Sequence, residues 1–113
     1  MIIIAGTIDL ADPSKRDSAI EQARPLQQAT RDQESGCHAY VFSADPCVAG
    51  RIAVYELWED EASLAAHFHH ENYFNMRNKF AEHGISGAET MKYRIDAKAP
   101  VYNAQRIATT DFD

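Results

Sequence analysis

Four stretches of the chain have the residue pattern of β-strands. The first, Ile2 to Leu10, is rich in the β-branched residues that favour extended backbone. Residues 37–44 and 51–58 also have strand character, and the turn at 45–50 between them contains the Asp-Pro and Gly typical of reversals. A fourth strand is predicted over 89–96. The strands are therefore separated by two longer segments and one short turn.

The segment after the first strand has the spacing of a helix. Asp12-Pro13-Ser14 begins it, because Asp caps helices and Pro suits their first turn. The helix is predicted to run to about Ser35, and Pro25 is expected to kink it or divide it in two. Gly36 is expected to let the backbone leave the helix through the left-handed region. The residues at near-helical spacing are Ile20, Ala23, Leu26 and Thr30.

A second helical segment is predicted from Asp60 to His83. Asp60 is a suitable N-cap, and Gly84 is a suitable stop just beyond the last turn. The element order is then βαββαβ, which indicates an α+β, ferredoxin-like fold with both helices on one side of an antiparallel sheet.

Both faces of the predicted sheet are apolar, although two helices can cover only one of them. In the third strand one face carries Ile52, Val54 and Trp58, and the other carries Ala53, Tyr55 and Leu57. Each large apolar side chain left in water forgoes about 1.5–3 kcal/mol of burial. We therefore expect a homodimer in which a second subunit covers the open face.

The length of 113 residues indicates one domain, predicted over 1–98, followed by a tail at 99–113. The tail is too short to bury its own apolar residues, so we expect it to dock on the domain or on the partner subunit, or else to stay disordered. These residues are Pro100, Val101, Tyr102, Ile107 and Phe112.

The net charge of −6 argues against nucleic acid or an anionic membrane as a partner. No apolar run approaches the roughly 20 residues of a membrane-spanning helix, and the N-terminus lacks the basic region of a signal peptide. Cys37 and Cys47 have neither zinc-site spacing nor a secretory context, so we expect reduced thiols and a cytoplasmic protein. Cys37 reads as a small buried apolar residue at the start of a strand.

One set of residues carries a family resemblance over roughly residues 2 to 96. It consists of Glu34-Ser35-Gly36-Cys37-His38-Ala39-Tyr40, then Tyr55-Glu56-Leu57-Trp58-Glu59-Asp60, and then His67. This set resembles the signature of the antibiotic-biosynthesis monooxygenase family. The resemblance implies a dimeric α+β barrel, no cofactor, O₂ as co-substrate, and oxygenation of a small electron-rich aromatic such as a phenol, quinol or anthrone.

In that family each subunit has a pocket between its helices and its sheet. Even-numbered strand positions would line it, because successive strand side chains point to opposite faces. The expected lining and closing residues are Gly6, His38, Tyr40, Phe42, Glu56, Trp58, His67, Asn72, Tyr73 and Phe74.

His67, Glu56 and Tyr40 are the candidate catalytic residues. His67 would act as general base, since imidazole titrates near neutral pH; the alternative is a packing or surface histidine. Glu56 stands in an apolar strand, where it should pair with a cation (Arg51, Arg77, Arg94 or His67) or contact substrate. Tyr40 would donate a hydrogen bond or simply pack, and Trp58 would wall the pocket or belong to the core.

The sequence also allows other functions. The histidine-rich run at 67–70 falls short of a metal site and is better explained as a solvated stretch or a bend between two short helices. The haem-degrading branch of the superfamily needs residues that Gly6, His67 and Met76 or Arg77 do not supply. A small isomerase or lyase using His67, and a non-enzymatic ligand-binding barrel, are the remaining alternatives.

Overall fold

A computed structural model describes residues 1–112 of the chain. The strands form one antiparallel sheet in the order β2-β3-β1-β4. The predicted ferredoxin-like order is confirmed, and the bounds predicted for the first three strands are those observed. The elements are β1 (Ile2–Leu10), α1 (Arg16–Gln33), β2 (Cys37–Ala44), β3 (Arg51–Trp58), α2 (Glu61–Phe68), α3 (Glu71–Glu82) and β4 (Ile85–Arg94).

The first helical segment begins as predicted but is not divided. Asp12 accepts a hydrogen bond from the Ser14 amide at 3.0 Å, and a single 3₁₀ turn, Pro13–Lys15, leads into α1. The helix continues through Pro25, so of the two expected effects, a kink or a division, the division does not occur. Pro25 is exposed, and the buried side of α1 consists of Ala19, Ala23, Gln27 and Thr30.

Side chains of α1 form hydrogen bonds with the main-chain groups of β2 at the free edge of the sheet. Gln27 both donates to the Phe42 carbonyl at 3.1 Å and accepts from the Phe42 amide at 3.0 Å. Arg31 donates to the Tyr40 carbonyl at 2.8 Å. An edge strand with unpaired main-chain groups would invite non-native pairing, so these bonds protect the edge while fixing α1 against the sheet.

Gly36 is required for a different reason from the one predicted. It does not adopt positive φ, which the structure assigns within residues 1–112 to Gly6, Gly50, Gly84 and Arg106. A Cβ at Gly36 would lie 2.3 Å from the Cβ of Ser63, so any side chain there would collide with the start of α2. The close approach of two elements that are distant in sequence, rather than a left-handed turn, explains this glycine.

The second helical segment is two helices with a break at His69 and His70. Asp60 caps α2 by accepting from the Ser63 amide at 2.8 Å, as predicted. The imidazole of His70 then caps α3 by accepting from the Asn72 amide at 3.0 Å. The bend expected in the histidine-rich run is confirmed, whereas one continuous helix is not.

The fourth strand begins earlier than predicted. Gly84 ends the preceding helix at φ 80°, as expected, and β4 starts at the next residue instead of at 89. Residues 85–88 lack an alternating pattern, and they are extended because they pair with β1 across an irregularity between Asp9 and Leu10. Pairing with a neighbouring strand, a tertiary effect, therefore set this boundary.

The core lies between the helices and one face of the sheet, and its largest members are Trp58, Tyr40 and Phe80. The opposite face of the sheet is open. No helix within residues 1–112 is long and apolar enough to cross a bilayer.

The tail makes its own small turn. Tyr102 and Ala108 form an isolated bridge, and the Asn103 side chain accepts from the amides of Gln105 and Ile107. Its large apolar side chains remain exposed. The radius of gyration is 15.8 Å, above the roughly 13 Å expected for a compact chain of this length, which agrees with a tail that projects from the domain.

Candidate active site

His67 lies at the centre of the buried face. It is in the last turn of α2, with only 1% of its surface exposed. Its ring is 4.5 Å from that of Trp58 and 5.5 Å from that of Tyr40, measured between centroids. Burial lowers the pKa of His67, an effect that neighbouring Glu34 opposes in part, so the imidazole is neutral at physiological pH.

Glu34 determines which nitrogen of His67 carries the proton. The two carboxylate oxygens lie 2.9 and 3.1 Å from His67 Nδ1. A carboxylate accepts hydrogen bonds, so Nδ1 is the donor and Nε2 holds the lone pair of the neutral ring. Nε2 makes no hydrogen bond within residues 1–112, and His67 borders an apolar cavity between the helices and the sheet.

Asn72 holds Glu34 in place from the start of α3. Its amide donates to Glu34 Oε2 at 3.2 Å and to Gln33 Oε1 at 3.3 Å. Asn72 is itself buried. The end of α1, the end of α2 and the start of α3 thus meet at one hydrogen-bonded cluster, which we call the His67–Glu34–Asn72 cluster.

Glu56 is the second polar group on the cavity. Only 7% of it is exposed, and Oε1 accepts a hydrogen bond from Trp58 Nε1 at 3.0 Å. Burial raises the pKa of Glu56 to about 7, with the Trp58 bond opposing and the charge of Glu34 adding to the rise. Glu56 therefore carries a proton in a large share of molecules at neutral pH.

The expected cation partner of Glu56 is absent from residues 1–112. Arg51 instead pairs with Asp9 at 2.8 Å, and Arg94 pairs with Glu61. The structural ion pair predicted for Glu56 is therefore wrong. The carboxyl group is buried without a counter-ion because it is protonated in part at neutral pH and accepts a hydrogen bond from the Trp58 indole.

His67 and Glu56 both border one cavity of about 400 Å³. Its wall is largely aliphatic and aromatic, with the polar atoms of Glu56, His67, Tyr73, Thr90 and Arg77 added, which is the usual composition of a small-molecule site. The lining residues are Ile4, Ile8, Tyr40, Phe42, Val54, Glu56, His67, Phe68, Tyr73, Met76, Arg77, Phe80, Ile85, Ala88 and Thr90.

The Tyr40 phenol and the Cys37 thiol are both protonated at neutral pH, so neither is the base or the nucleophile of this site. Burial raises the pKa of Tyr40, with Glu56 adding to the effect, so its phenol stays protonated. Burial also raises the pKa of Cys37 to about 11, so this thiol is not a thiolate at neutral pH. Among residues 1–112, no three His, Cys, Asp or Glu side chains are grouped as a metal site would need.

The sequence profile described as antibiotic biosynthesis monooxygenase matches residues 1–79. The chain belongs to this family. No curated protein matches the chain.

Solved structures share the fold of this antibiotic biosynthesis monooxygenase family member. A candidate monooxygenase of the same family from Deinococcus radiodurans is 20% identical with a TM-score of 0.72, covering 91% of this chain and 100% of its own. A further candidate from Nitrosomonas europaea is 18% identical with a TM-score of 0.71, covering 85% and 99%. A conserved protein from Methanosarcina mazei Go1 is 22% identical with a TM-score of 0.72, covering 82% and 90%. At such identities the likeness establishes the fold.

Several residues predicted for the family pocket do lie around the cavity. His67, Tyr40, Phe42, Glu56 and Tyr73 border it. Gly6 lies on β1 between the lining residues Ile4 and Ile8, and a Cβ there would be 1.9 Å from the Glu89 carbonyl oxygen, so its lack of a side chain lets β4 approach. Trp58 lies fully buried behind Glu56 and His67.

His38, Phe74 and Asn72 are not where the family resemblance placed them. His38 is exposed and pairs with Glu59, because a bulge between Cys37 and Ala39 sets it outside the ladder. Phe74 is exposed on α3 and does not border the cavity. Asn72 supports Glu34 instead of facing the cavity.

Glu34 and Arg77 contribute to the site, although the sequence alone did not predict a site role for either. Glu34 stood within the family signature, but its contact with His67 spans 33 residues of chain. Arg77 was considered only as a partner for Glu56. One feature of the sequence does point to Glu34. It is an acidic residue at the C-terminal end of a helix, where the helix dipole disfavours a negative charge, so a role outside the helix is expected for it.

Proposed function

We propose that this protein is a cofactor-independent monooxygenase that oxidises a small electron-rich aromatic, of the phenol, quinol or anthrone type, with O₂. One observation carries the proposal. A buried neutral imidazole, held by Glu34 through Nδ1, presents an unpaired Nε2 beside an apolar cavity of about 400 Å³. Such a group is suited to removing a proton from a bound hydroxyarene.

The proposed reaction needs no electron source besides the substrate. His67 Nε2 takes the phenol proton, and the phenolate passes one electron to O₂, giving a phenoxyl radical and superoxide. These combine to form a carbon–oxygen bond. Loss of the ring proton and cleavage of the O–O bond then give a quinone and water. One oxygen atom enters the product, the other leaves as water, and the substrate supplies all four electrons.

The remaining cavity groups complete this chemistry. Glu56, protonated in part at neutral pH, is suited to give its proton to the oxygen that leaves as water. The Tyr40 phenol orients the substrate, and Trp58 holds Glu56 through its indole N–H. The largely apolar wall excludes water from the radical pair and positions the reacting atoms.

A second candidate function is isomerisation or lysis of a small carbonyl compound. A neutral base, His67, and a protonated acid, Glu56, border the same cavity, and this arrangement also supports transfer of a proton from carbon to oxygen. Such a reaction needs no O₂.

Oxygen consumption tests the proposed function. Chelator-treated protein is supplied with quinols, anthrones and dihydroxynaphthalenes, and uptake is compared with the non-enzymatic rate. We expect faster uptake with one O₂ consumed per quinone formed, and one ¹⁸O atom from ¹⁸O₂ in the product. Uptake no faster than the non-enzymatic rate across the panel would contradict oxygenation of these classes. Turnover of a carbonyl substrate without O₂ would favour the isomerase, and binding without turnover would favour a ligand-binding barrel.

Replacing Glu34 with glutamine tests its role as a positioning residue. We expect the maximal rate to fall by about 10- to 100-fold, because a neutral amide can donate to Nδ1 as well as accept from it and so release the required tautomer. Glu34 raises the pKa of His67, so its loss should move the acid limb of the rate–pH profile to lower pH. A merely structural role would lower the rate without moving that limb. Glu21→Gln, the same change on an exposed residue of α1 away from the cluster, is the matched control and should leave both the rate and the acid limb unchanged.

We also propose that the protein is a homodimer formed through the open face of the sheet. The cross-strand register aligns Val41, Tyr55, Ala5 and Met91 in one row across all four strands. Tyr55 is 42% exposed and Met91 63% exposed, and a row of exposed apolar side chains is typical of a protein–protein contact surface. The projecting tail adds further exposed apolar residues that a second subunit would cover.

A charge in this row is expected to separate the dimer. Met91→Glu would bury a charge from each subunit in the proposed interface, so light scattering should report the mass of one chain for this variant and of two for the native protein. Val48→Glu, which puts the same charge on an exposed apolar residue of the 45–50 turn, should stay dimeric. A native protein with the mass of one chain would contradict the dimer.

A further inference from the structure

Arg77 stands at the edge of the cavity on α3. Its guanidinium carbon lies 5.7 Å from the centroid of the Tyr73 ring and 5.2 Å from that of the Phe74 ring. The Arg77 side chain also borders the cavity that contains His67 and Glu56. Contact with two rings limits the motion of the guanidinium while leaving its N–H groups available.

Arg77 differs from every other arginine of residues 1–98. Each of the others donates to a carboxylate or to a main-chain carbonyl, whereas Arg77 makes no hydrogen bond or ion pair in that range. The arginines with such partners are Arg16, Arg24, Arg31, Arg51 and Arg94. In a chain with a net charge of −6, a guanidinium without an acidic partner at a cavity is a notable exception.

A second cation lies on the same side of the domain. Lys92, on β4, borders an adjoining depression that shares Phe68 with the main cavity, and it makes no ion pair within the described part of the chain. This depression lies between α2 and β4, and the ion pair of Glu61 with Arg94 also borders it. The Thr90 hydroxyl borders the main cavity from the same strand. Arg77 and the Thr90 hydroxyl therefore place hydrogen-bond donors at the α3–β4 side of the cavity, while Glu56 and the His67–Glu34–Asn72 cluster occupy the interior.

We propose that Arg77 binds a carboxylate carried by the aromatic substrate, so that the ligand is a hydroxyarene acid with its acidic group at the α3–β4 side and its hydroxyl group toward His67. The proposal rests on the proposed function for the direction in which the substrate lies. An arginine presents a planar fork of donors that matches a carboxylate. Arg77 is exposed, so water screens such a pair in part, but the rings of Tyr73 and Phe74 hold the guanidinium in place for it.

The test compares ligands that differ only in charge. The probes are 6-hydroxy-2-naphthoic acid, its methyl ester and 2-naphthol, which are stable toward O₂, and affinity is measured by calorimetry on the native protein. We expect the acid to bind about tenfold or more tightly than the ester, as a charge-assisted hydrogen bond provides. Added salt should reduce this preference.

Variants of Arg77 then assign the preference to one residue. Arg77 is exposed, so Arg77→Gln is expected to fold with an unchanged melting temperature and to bind acid and ester equally. Arg77→Lys should keep part of the preference, because it retains the charge but not the fork. Arg24→Gln makes the same change of charge on α1, away from the cavity, and should keep the native preference.

The outcomes separate this inference from the proposed function. Equal binding of acid and ester by the native protein, no binding of the acid, or an undiminished preference in Arg77→Gln would overturn the role of Arg77, even if neutral hydroxyarenes are oxidised. An acid preference that depends on Arg77 would support the inference even if no hydroxyarene consumes O₂, in which case only the proposed function fails.

Discussion

His67→Ala is expected to lower the rate of oxygen uptake by about 100- to 10,000-fold, the usual contribution of a positioned general base. Among residues 1–112, the imidazole is the one neutral base that borders the cavity with its proton placed by a hydrogen bond to a carboxylate. The loss should fall on kcat more than on KM, because the proton is removed in the transition state while most of the binding surface remains.

Two comparisons make the His67 result specific. His69→Ala alters an exposed histidine just beyond α2 and should retain native activity. Added imidazole should restore part of the lost rate in His67→Ala, since the space left by the side chain opens to the cavity. A folded His67→Ala protein that retains full activity would contradict the assignment of His67 as base.

Glu56→Gln is expected to make the protein more stable above pH 7, by about 3 kcal/mol. The folded-state pKa of Glu56 is about 7, above the ordinary value of 4.5, because the carboxylate is buried without a cation. The stability linked to this proton is therefore complete below about pH 4.5 and is lost as pH rises to about 7. Glutamine stays neutral throughout and can still accept from the Trp58 indole.

The measurement is the free energy of unfolding from denaturant titrations between pH 4.5 and 8. The native protein and Glu56→Gln should have similar stability at the acid end and diverge toward the alkaline end. Glu89→Gln, on an exposed carboxylate of β4, should follow the native curve. His67 contributes the opposite trend, since its lowered pKa removes stability as pH falls, but it is common to all three proteins. Parallel curves for Glu56→Gln and the native protein would contradict a buried carboxyl with a raised pKa.

The two predictions connect stability with activity. Burying Glu56 destabilises the protein at neutral and alkaline pH, yet it keeps a proton available beside the base. If that proton is used in the reaction, the native rate should decline as pH rises through about 7, and Glu56→Gln should lose this alkaline limb together with most of its activity. Removing such a group would then increase stability at the expense of function, a common exchange at active sites.

Local patterns were sufficient for much of the fold. The bounds of β1, β2 and β3 follow from alternation, β-branched residues and turn residues, and the Asp60 cap and the Gly84 stop follow from helix-end chemistry. The start of β4 did not follow, because residues 85–88 are extended through their pairing with β1.

Part of the candidate site was also accessible from the sequence. His67, Tyr40, Phe42, Glu56 and Tyr73 were placed beside the cavity through strand parity and the family signature. Strand alternation placed His38 on the wrong face of the sheet. One bulge in β2 turns this residue to the other face, and a bulge leaves almost no trace in the amino-acid composition.

The sequence by itself determined which residue types were available at which faces: a ferredoxin-like order of elements, two apolar sheet faces and a histidine on the covered side. Only the tertiary structure decided how those residues act, through the contact of His67 with Glu34, the burial of Glu56 without a cation and the unpaired guanidinium of Arg77. The physical reason is the distance along the chain over which each effect acts. Periodicity and caps depend on neighbours within a few residues, whereas protonation and hydrogen-bond partners depend on groups brought together from distant parts of the chain.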